Sequence, residues 1–296
     1  MLLRELGAAG GGGSPSLRFR LFGPLQVTRG REVLELGPPK QRALLAVLLL
    51  RPGMETGVDQ LTASLWGEDY PAYAKNLIQK SVSGLRGLLA GGEHGVRLEW
   101  SGGGYLLDTG GAYVDLYAYE RLASAGIAAA REGEVLQAAR LLEEARTMST
   151  GPLAEGLDGP MLERERLYRQ ERFLADMEVR AELELELGRH RNAVPYLYYA
   201  VHKYPFRERF VWLLMLALYR SDRGSEALAV YAGHRTRVVE ELGAEPGPSL
   251  RSLQAQLLLQ DPQLMVCSSL RLDSGAPAAA PALRPTAPLA RRGPFD

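Results

Sequence analysis

Apolar and polar residues alternate along "LRFRLFGPLQV" and "REVLEL", the two-residue period of strands with one buried face. Gly/Pro and Arg-Gly breaks separate these stretches and predict short antiparallel strands. In "PPKQRALLAVLLLRPG" the period lengthens, with proline at the start and Pro-Gly after the end, which marks a helix. "TGVDQLTASLWG" predicts a second helix with Val58, Leu61, Leu65 and Trp66 on its buried side. Pro71 opens a third, running to about Ala90, in which Ile78, Val82, Leu85 and Leu89 share one face. "VRLEW", "SGGG" and "YLLDT" then read as strand, turn and strand. Three strands, three helices and a hairpin make the pattern of a winged helix-turn-helix with a small sheet in front.

From about Val114 the chain reads as helical throughout, with turns at "REGE", "STGPLAEGLDGP", "ELGRHR", "KYPF", "SDRGSE" and "AEPGPS". Gly133, Ala138, Leu142 and Ala145 recur 55 residues later as Gly188, Ala193, Leu197 and Ala200. Ala193 and Leu197 recur 34 residues further on as Ala227 and Tyr231, the spacing of tetratricopeptide repeats. Stacked helix pairs bury a shared core and offer concave surfaces to partners; an irregular bundle is the plainer alternative. The expected fold is therefore mostly α with a small β component. Its parts are a Gly/Ser/Ala leader over 1–16, a winged-helix domain over 17–110, a helical-repeat domain over 111–261 and a Pro/Ala-rich tail over 262–296.

Composition narrows the function mainly by exclusion. The 35 Lys/Arg balance 35 Asp/Glu, so the whole chain offers no bulk-basic case for nucleic acid. Residues 17–110 hold eleven Lys/Arg against nine Asp/Glu, a net of +2. The single cysteine, Cys267, allows neither a disulfide within the chain nor a cysteine metal cage. The longest apolar run, Ala43 to Leu50, falls far short of the ~18 residues of a membrane span, and a cytoplasmic protein is expected. No phosphate-binding loop, G-x-S-x-G or H-E-x-x-H is present, so no enzyme, metal or cofactor is expected. His190, His202 and His234 match no metal spacing and suit surface or turn positions, and "MLERERLYRQERFLADMEVRAELELELG" suits a helix laced with i,i+4 pairs.

The third helix carries the most specific chemistry. Opposite its apolar face lie Asn76, Gln79, Lys80 and Ser83 with Gly87, while Arg86 sits at the edge and Lys75 precedes them. Asn and Gln pair with adenine, Arg and Lys reach guanine or phosphate, and Ser bonds either. A solvated helix face shows the same pattern, and the order of elements is what favours a reading helix in the major groove.

"PPKQRALLAVLLL", "VDQLTASLWGEDYP", "NLIQKSVSGLR" and "GGGYLLD" resemble successive blocks of the actinobacterial antibiotic regulatory proteins, the SARP family. "ELGRHRNAVPYL", "YPFRERFVWLLMLALYRSDRGSEALAVYAGHR" and "VVEELGAEPGPSLRSLQAQLL" resemble that family's bacterial transcriptional activation domain. The likeness is collinear over roughly 17–261. It implies an OmpR-like winged helix followed by a tetratricopeptide-like domain, a homodimer on direct repeats of double-stranded DNA, and recruitment of RNA polymerase through its sigma factor at biosynthetic gene clusters. The implied DNA contacts are Lys75, Asn76, Gln79, Lys80, Ser83, Arg86 and Arg97, with Lys40 and Arg42 on the first helix. The loop "WGEDYP" would face polymerase with Glu68, Asp69 and Tyr70; a plain acidic connector with Asp69 capping the next helix is the alternative.

The chain departs from that family's pattern where DNA would be read. Gly84 stands where a basic residue is usual, Gly87 where one is frequent, and "SGGGY" occupies a wing turn that commonly carries Arg and Pro. Each helix-interior glycine costs roughly 0.5–1 kcal/mol against alanine, and lost phosphate contacts weaken binding uniformly. A helical-repeat scaffold or ligand sensor whose winged domain no longer reads DNA is thus the competing expectation. Tyr196, Tyr199, His202 and Tyr204 are expected to line a groove between helix pairs or to pack in the core.

Overall fold

A computed structural model of the chain describes residues 16–90 and 95–266. Residues 1–15, which hold almost all of the expected leader, and Cys267 with the rest of the tail lie outside them. The elements run β1 (Leu17–Arg20), β2 (Gln26–Arg29), β3 (Glu32–Val33), α1 (Pro39–Leu49), β4 (Thr56–Gly57), α2 (Val58–Trp66), α3 (Ala74–Leu89), β5 (Arg97–Ser101), β6 (Gly104–Asp108) and β7 (Tyr113–Val114). Helices follow: α4 (Asp115–Arg131), α5 (Val135–Met148), α6 (Pro160–Glu186), α7 (His190–Lys203), α8 (Glu208–Tyr219), α9 (Gly224–Leu242) and α10 (Pro248–Leu258), then a 3₁₀ turn at Pro262–Met265. Two compact units result, one of residues 16–119 with 148–169, the other of 120–147 with 170–266.

In the first unit the three expected strands and β7, which the sequence pattern does not predict, form a sheet of order β3-β2-β1-β7. Leu17 pairs with Arg29 and Phe19 with Val27 in antiparallel register, and β7 lies parallel to β1. Leu17, Phe19 and Val27 are buried while Arg18 and Arg20 face out, as the period of two requires. Helix α1 starts on Pro39, whose missing N–H falls where the helix has no acceptor for it. It then buries every residue from Ala43 to Leu49, which makes it the central helix of a bundle with α2 and α3. The second sheet, β4-β6-β5, holds the hairpin, with Leu98 opposite Leu107 and Trp100 opposite Tyr105.

Residues 148–169 belong to the helical half in sequence, yet they fold with this first unit. Ala154 N–H donates to the Leu21 carbonyl at 2.7 Å and Gly23 N–H to that of Pro152 at 2.9 Å. The buried Asp115 carboxylate accepts the N–H groups of Leu21, Phe22 and Leu116 at 2.8, 3.1 and 2.7 Å. Desolvation pushes its acidity toward higher pH, against those three donors.

The second unit stacks helix pairs. The repeating small and apolar positions Ala138, Leu142, Ala145, Ala193, Leu197, Ala200, Ala227 and Tyr231 are all buried, so the sequence repeat is a repeat of core positions. At Gly126 a β-carbon would lie 2.9 Å from Leu142 Cγ, so α4 and α5 cross where only glycine fits without displacing that leucine. The charges of α6 depart from the expected intrahelical lacing. Arg180 pairs with Glu143 of α5 at 2.9 Å, Arg207 of α8 with Glu171 and Glu178 at 2.6 and 2.5 Å, and Arg209 with Glu182. Glu165–Arg169, at 3.4 Å, does follow the i,i+4 pattern. Helical periodicity cannot tell a partner one turn away from a partner on the next helix. His234 also differs from expectation: it is buried in α9, 3.6 Å from Glu208, rather than at a surface or turn.

Candidate nucleic-acid interface

Helix α3 is amphipathic in the expected sense. Ile78, Val82, Leu85 and Leu89 are buried against the bundle, while Lys75, Asn76, Gln79, Lys80, Ser83 and Arg86 are exposed together. Three contacts fix the helix. Lys75 Nζ meets Asp59 Oδ1 of α2 at 2.6 Å, a bond that raises the lysine's pKa. Arg86 Nε donates to the Leu98 carbonyl of β5 at 2.6 Å. Arg29 of β2 donates to the Leu88 and Ala90 carbonyls at 2.6 and 3.0 Å, placing a cation at the helix C-terminus where the dipole favours it. Nothing in the sequence pattern of β2 marks Arg29 for this task. Arg86, expected at the edge of the DNA-facing surface, is exposed there and also braces the hairpin through Nε.

The two helix glycines differ. At Gly87 a β-carbon would meet nothing within 4 Å, so the outward surface is open there. At Gly84 it would stand 2.8 Å from Gln41 Oε1, and Gln41 is itself bound to the Leu36 carbonyl at 3.0 Å. A side chain at Gly84 must therefore first push Gln41 aside.

The wing has its own reason for glycine. Ser101 pairs with Gly104, leaving Gly102 and Gly103 as a two-residue turn with φ of +56° and +121°. Two-residue hairpin turns whose twist matches the strands call for positive φ, which glycine adopts without strain. Gly104 has a stricter constraint: its β-carbon would lie 2.5 Å from the backbone oxygen of Thr56 on β4. The arginine-free turn thus follows from a tight hairpin laid against a third strand. Arg97 is exposed on β5, and its ion pairs are to Asp108 at 3.1 Å and Glu99 at 3.6 Å. The Gly110 N–H and Arg97 together hold the Asp108 carboxyl below the usual aspartate range.

Lys40 and Arg42 lie on α1, on either side of the Gln41 that faces Gly84 of α3. Lys40 Nζ donates to the Leu65 carbonyl at 2.8 Å and stands 5.1 Å from the Trp66 ring centre, so it closes the C-terminus of α2. Arg42 is half-buried, and its Nε has no hydrogen-bond partner among the described residues. Glu68, Asp69 and Tyr70 are all exposed in the loop between α2 and α3. Tyr73 occupies the position before α3 and no side chain caps the helix, so Asp69 does not serve as that cap.

In the second unit the tyrosine cluster divides. Tyr196 packs against the core beneath Arg180, 4.3 Å from its ring centre, and burial pushes its phenol well above the ordinary range. Tyr199 and His202 are exposed, and Lys203 lies 5.7 and 5.5 Å from the rings of Tyr199 and Tyr204. Among the described residues no group of His, Cys, Asp or Glu is arranged to hold a metal ion, and no helix is long and apolar enough to cross a membrane.

Comparison with known proteins bears on both units. The family "Bacterial transcriptional activator domain" matches residues 114–258. The chain is 38% identical to the regulatory protein AfsR of Streptomyces coelicolor over 272 residues, 92% of this chain and 27% of that protein. It is 32% identical to the regulatory protein DnrI of Streptomyces peucetius over 254 residues, 83% of this chain and 93% of that one. The solved structure of Mycobacterium tuberculosis EmbR in complex with a low-affinity phosphopeptide superposes with a TM-score of 0.76 at 35% identity, over 84% of this chain and 66% of that one. The chain thus spans about a quarter of the length of AfsR, just under two thirds of EmbR and nearly all of DnrI.

Proposed function

The chain belongs to the SARP family of actinobacterial antibiotic regulatory proteins, and from that membership we propose that it is a transcriptional activator that binds direct repeats in double-stranded DNA as a homodimer. The observation that carries the reading is the exposed face of α3, where Asn76, Gln79, Lys80 and Ser83 stand side by side on a helix fixed by its bundle and hairpin. Asn76, Gln79 and Ser83 are the residue types that read base edges in the major groove, and Lys80 and Lys75 those that meet phosphate. Arg97 contacts the flanking backbone from the wing. Lys40 and Arg86 each also brace the scaffold, through the Leu65 and Leu98 carbonyls, while Arg86 remains exposed at the edge of this surface.

Recruitment follows at a separate place. The exposed Glu68, Asp69 and Tyr70 join α2 to α3 and offer two acids and an aromatic ring to a basic sigma-factor surface of RNA polymerase. The helical-repeat unit serves dimerisation and partner contact. The competing reading, a scaffold or sensor whose winged domain has lost DNA, draws on Gly84, Gly87 and the arginine-free turn; the hairpin geometry gives the wing glycines a structural reason of their own, which weakens that argument at the wing. The protein acts in the cytoplasm, where its DNA and polymerase are.

A salt-titrated anisotropy assay on a duplex from the chain's own upstream region tests this. Wild type is expected to bind with strong salt dependence, and Gln79→Ala/Lys80→Ala to lose most of the affinity while keeping its melting temperature. Failure of wild type to bind at low salt, alone or with polymerase holoenzyme, sinks the reading.

A further inference from the structure

The hairpin carries an exposed tryptophan that none of the functions above uses. Trp100 is 54% exposed. The other two tryptophans are partly buried and each stands under a cation, Trp66 beside Lys40 and Trp212 with Arg209 at 4.5 Å. Trp100 lies two residues from Leu98, so both side chains leave the same face of β5. Leu98 is buried in the domain, and Trp100 continues that row toward the hairpin tip. Its indole meets the buried Tyr105 directly opposite, edge to face, with ring centres 4.9 Å apart at 80°. The Tyr105 ring centre is 6.0 Å from the Arg86 guanidinium carbon, and Arg86 is bound to the Leu98 carbonyl. Arg86, Tyr105 and Trp100 thus form one continuous corner between the C-terminal half of α3 and the wing. The turn residues Gly102 and Gly103 add no side chain beside it.

We propose that Trp100 is a DNA contact, its indole packing against the sugar–phosphate backbone beside the groove that α3 enters. The chemistry fits that occupant. The ring covers deoxyribose carbon, and the indole N–H donates to a phosphate oxygen without carrying charge. Continuity with the polar face of α3 through Arg86 makes DNA the occupant rather than a separate protein. The contact supplies uncharged affinity on a reading surface with glycine at 84 and 87, so its signature differs from that of a cation. Removing Lys80 releases one fewer counterion and flattens the salt slope by about one unit, whereas removing Trp100 lowers affinity at every salt concentration and leaves the slope unchanged.

The inference rests on the DNA-binding reading, and the experiment separates the two. Anisotropy with the upstream duplex is measured across salt for wild type, Trp100→Ala, Trp100→Phe and Lys80→Ala. Intrinsic tryptophan fluorescence is followed in the same titrations. The expected result is an affinity about tenfold lower for Trp100→Ala at unchanged slope, the order seen when a packed aromatic contact is truncated. Trp100→Phe should bind nearly as wild type but lose the DNA-induced fluorescence change. Salt-dependent binding by wild type with Trp100→Ala indistinguishable from it, and no DNA-induced change to lose, overturns the contact and leaves the DNA reading standing. Absence of wild-type binding overturns both.

Discussion

Gly87 and Gly84 sit three residues apart on one helix, and the structure sets them opposite fates. Alanine in place of glycine favours a helix interior by about 0.8–1 kcal/mol. At Gly87 nothing opposes that gain, because a β-carbon there meets open space. At Gly84 the β-carbon stands 2.8 Å from Gln41 Oε1, so the Gln41 amide has to shift, and its 3.0 Å bond to Leu36 sets an upper bound of about 0.5–1.5 kcal/mol on that cost. Gly87→Ala is therefore expected to raise the melting temperature by about 2–4 °C, and Gly84→Ala to leave it nearly unchanged or slightly lower. Gly87→Arg should keep the gain and add a cation to the reading face, steepening the salt slope of DNA binding by about 0.9. Thermal unfolding followed by circular dichroism, then salt-titrated anisotropy, measures both. Equal stabilisation at the two positions would refute the packing argument. A stabilised Gly87→Arg with an unchanged salt slope would place that face away from phosphate.

Other perturbations test separate parts of the molecule. Gly104→Ala is expected to destabilise the first unit by about 1–3 kcal/mol, since its β-carbon meets the Thr56 backbone oxygen rather than a movable side chain; a wild-type melting temperature would contradict this. Asp59→Asn releases Lys75 from its carboxylate partner and should strengthen DNA binding with a steeper salt slope, and an unchanged slope would remove Lys75 from the contact set. In the second unit the hydrogen bond from Arg146 holds the Glu143 carboxyl below its ordinary range, with Arg180 acting in the same sense against burial. The folded state then binds the proton less tightly than the unfolded chain. The contribution of Glu143 is present above the unfolded-state pKa and is lost as pH falls through the lowered one. Melting temperatures of wild type and Glu143→Gln should converge on acidification, and a gap that persists at low pH would show that the pair contributes nothing.

Periodicity made the larger elements legible because each spans enough residues for its buried face to repeat. The α3 row of Ile78, Val82, Leu85 and Leu89 and the repeat pair Ala193 and Leu197 are of this kind. What the sequence hid depends on contacts between distant residues. Arg29 closes α3 from 59 residues away, Asp115 accepts the N–H of Leu21 from 94 away, and Gly104 is required by Thr56 on another strand. Lys40 and Arg86 illustrate the same limit in the functional surface. Nothing in the sequence pattern shows that they bond the Leu65 and Leu98 carbonyls, which only the fold brings to them. Trp100 continues the alternation of Val96 and Leu98, so periodicity places it on the buried face, and only the fold shows that the row runs out of the core before it reaches the indole.

The three tethers of α3, at Asp59, at the Leu98 carbonyl and through Arg29 at its C-terminal end, have a mechanical consequence. If α3 enters DNA as proposed, the contacts at its C-terminal end limit how far it can tilt or roll to suit the duplex. Misfit is then taken up by the softer body, and DNA differs in bending stiffness from step to step. On the proposed reading, promoters rich in flexible pyrimidine–purine steps between the repeats would be favoured over stiff ones with identical contacted bases. Selectivity of that kind resides in base pairs the protein never touches.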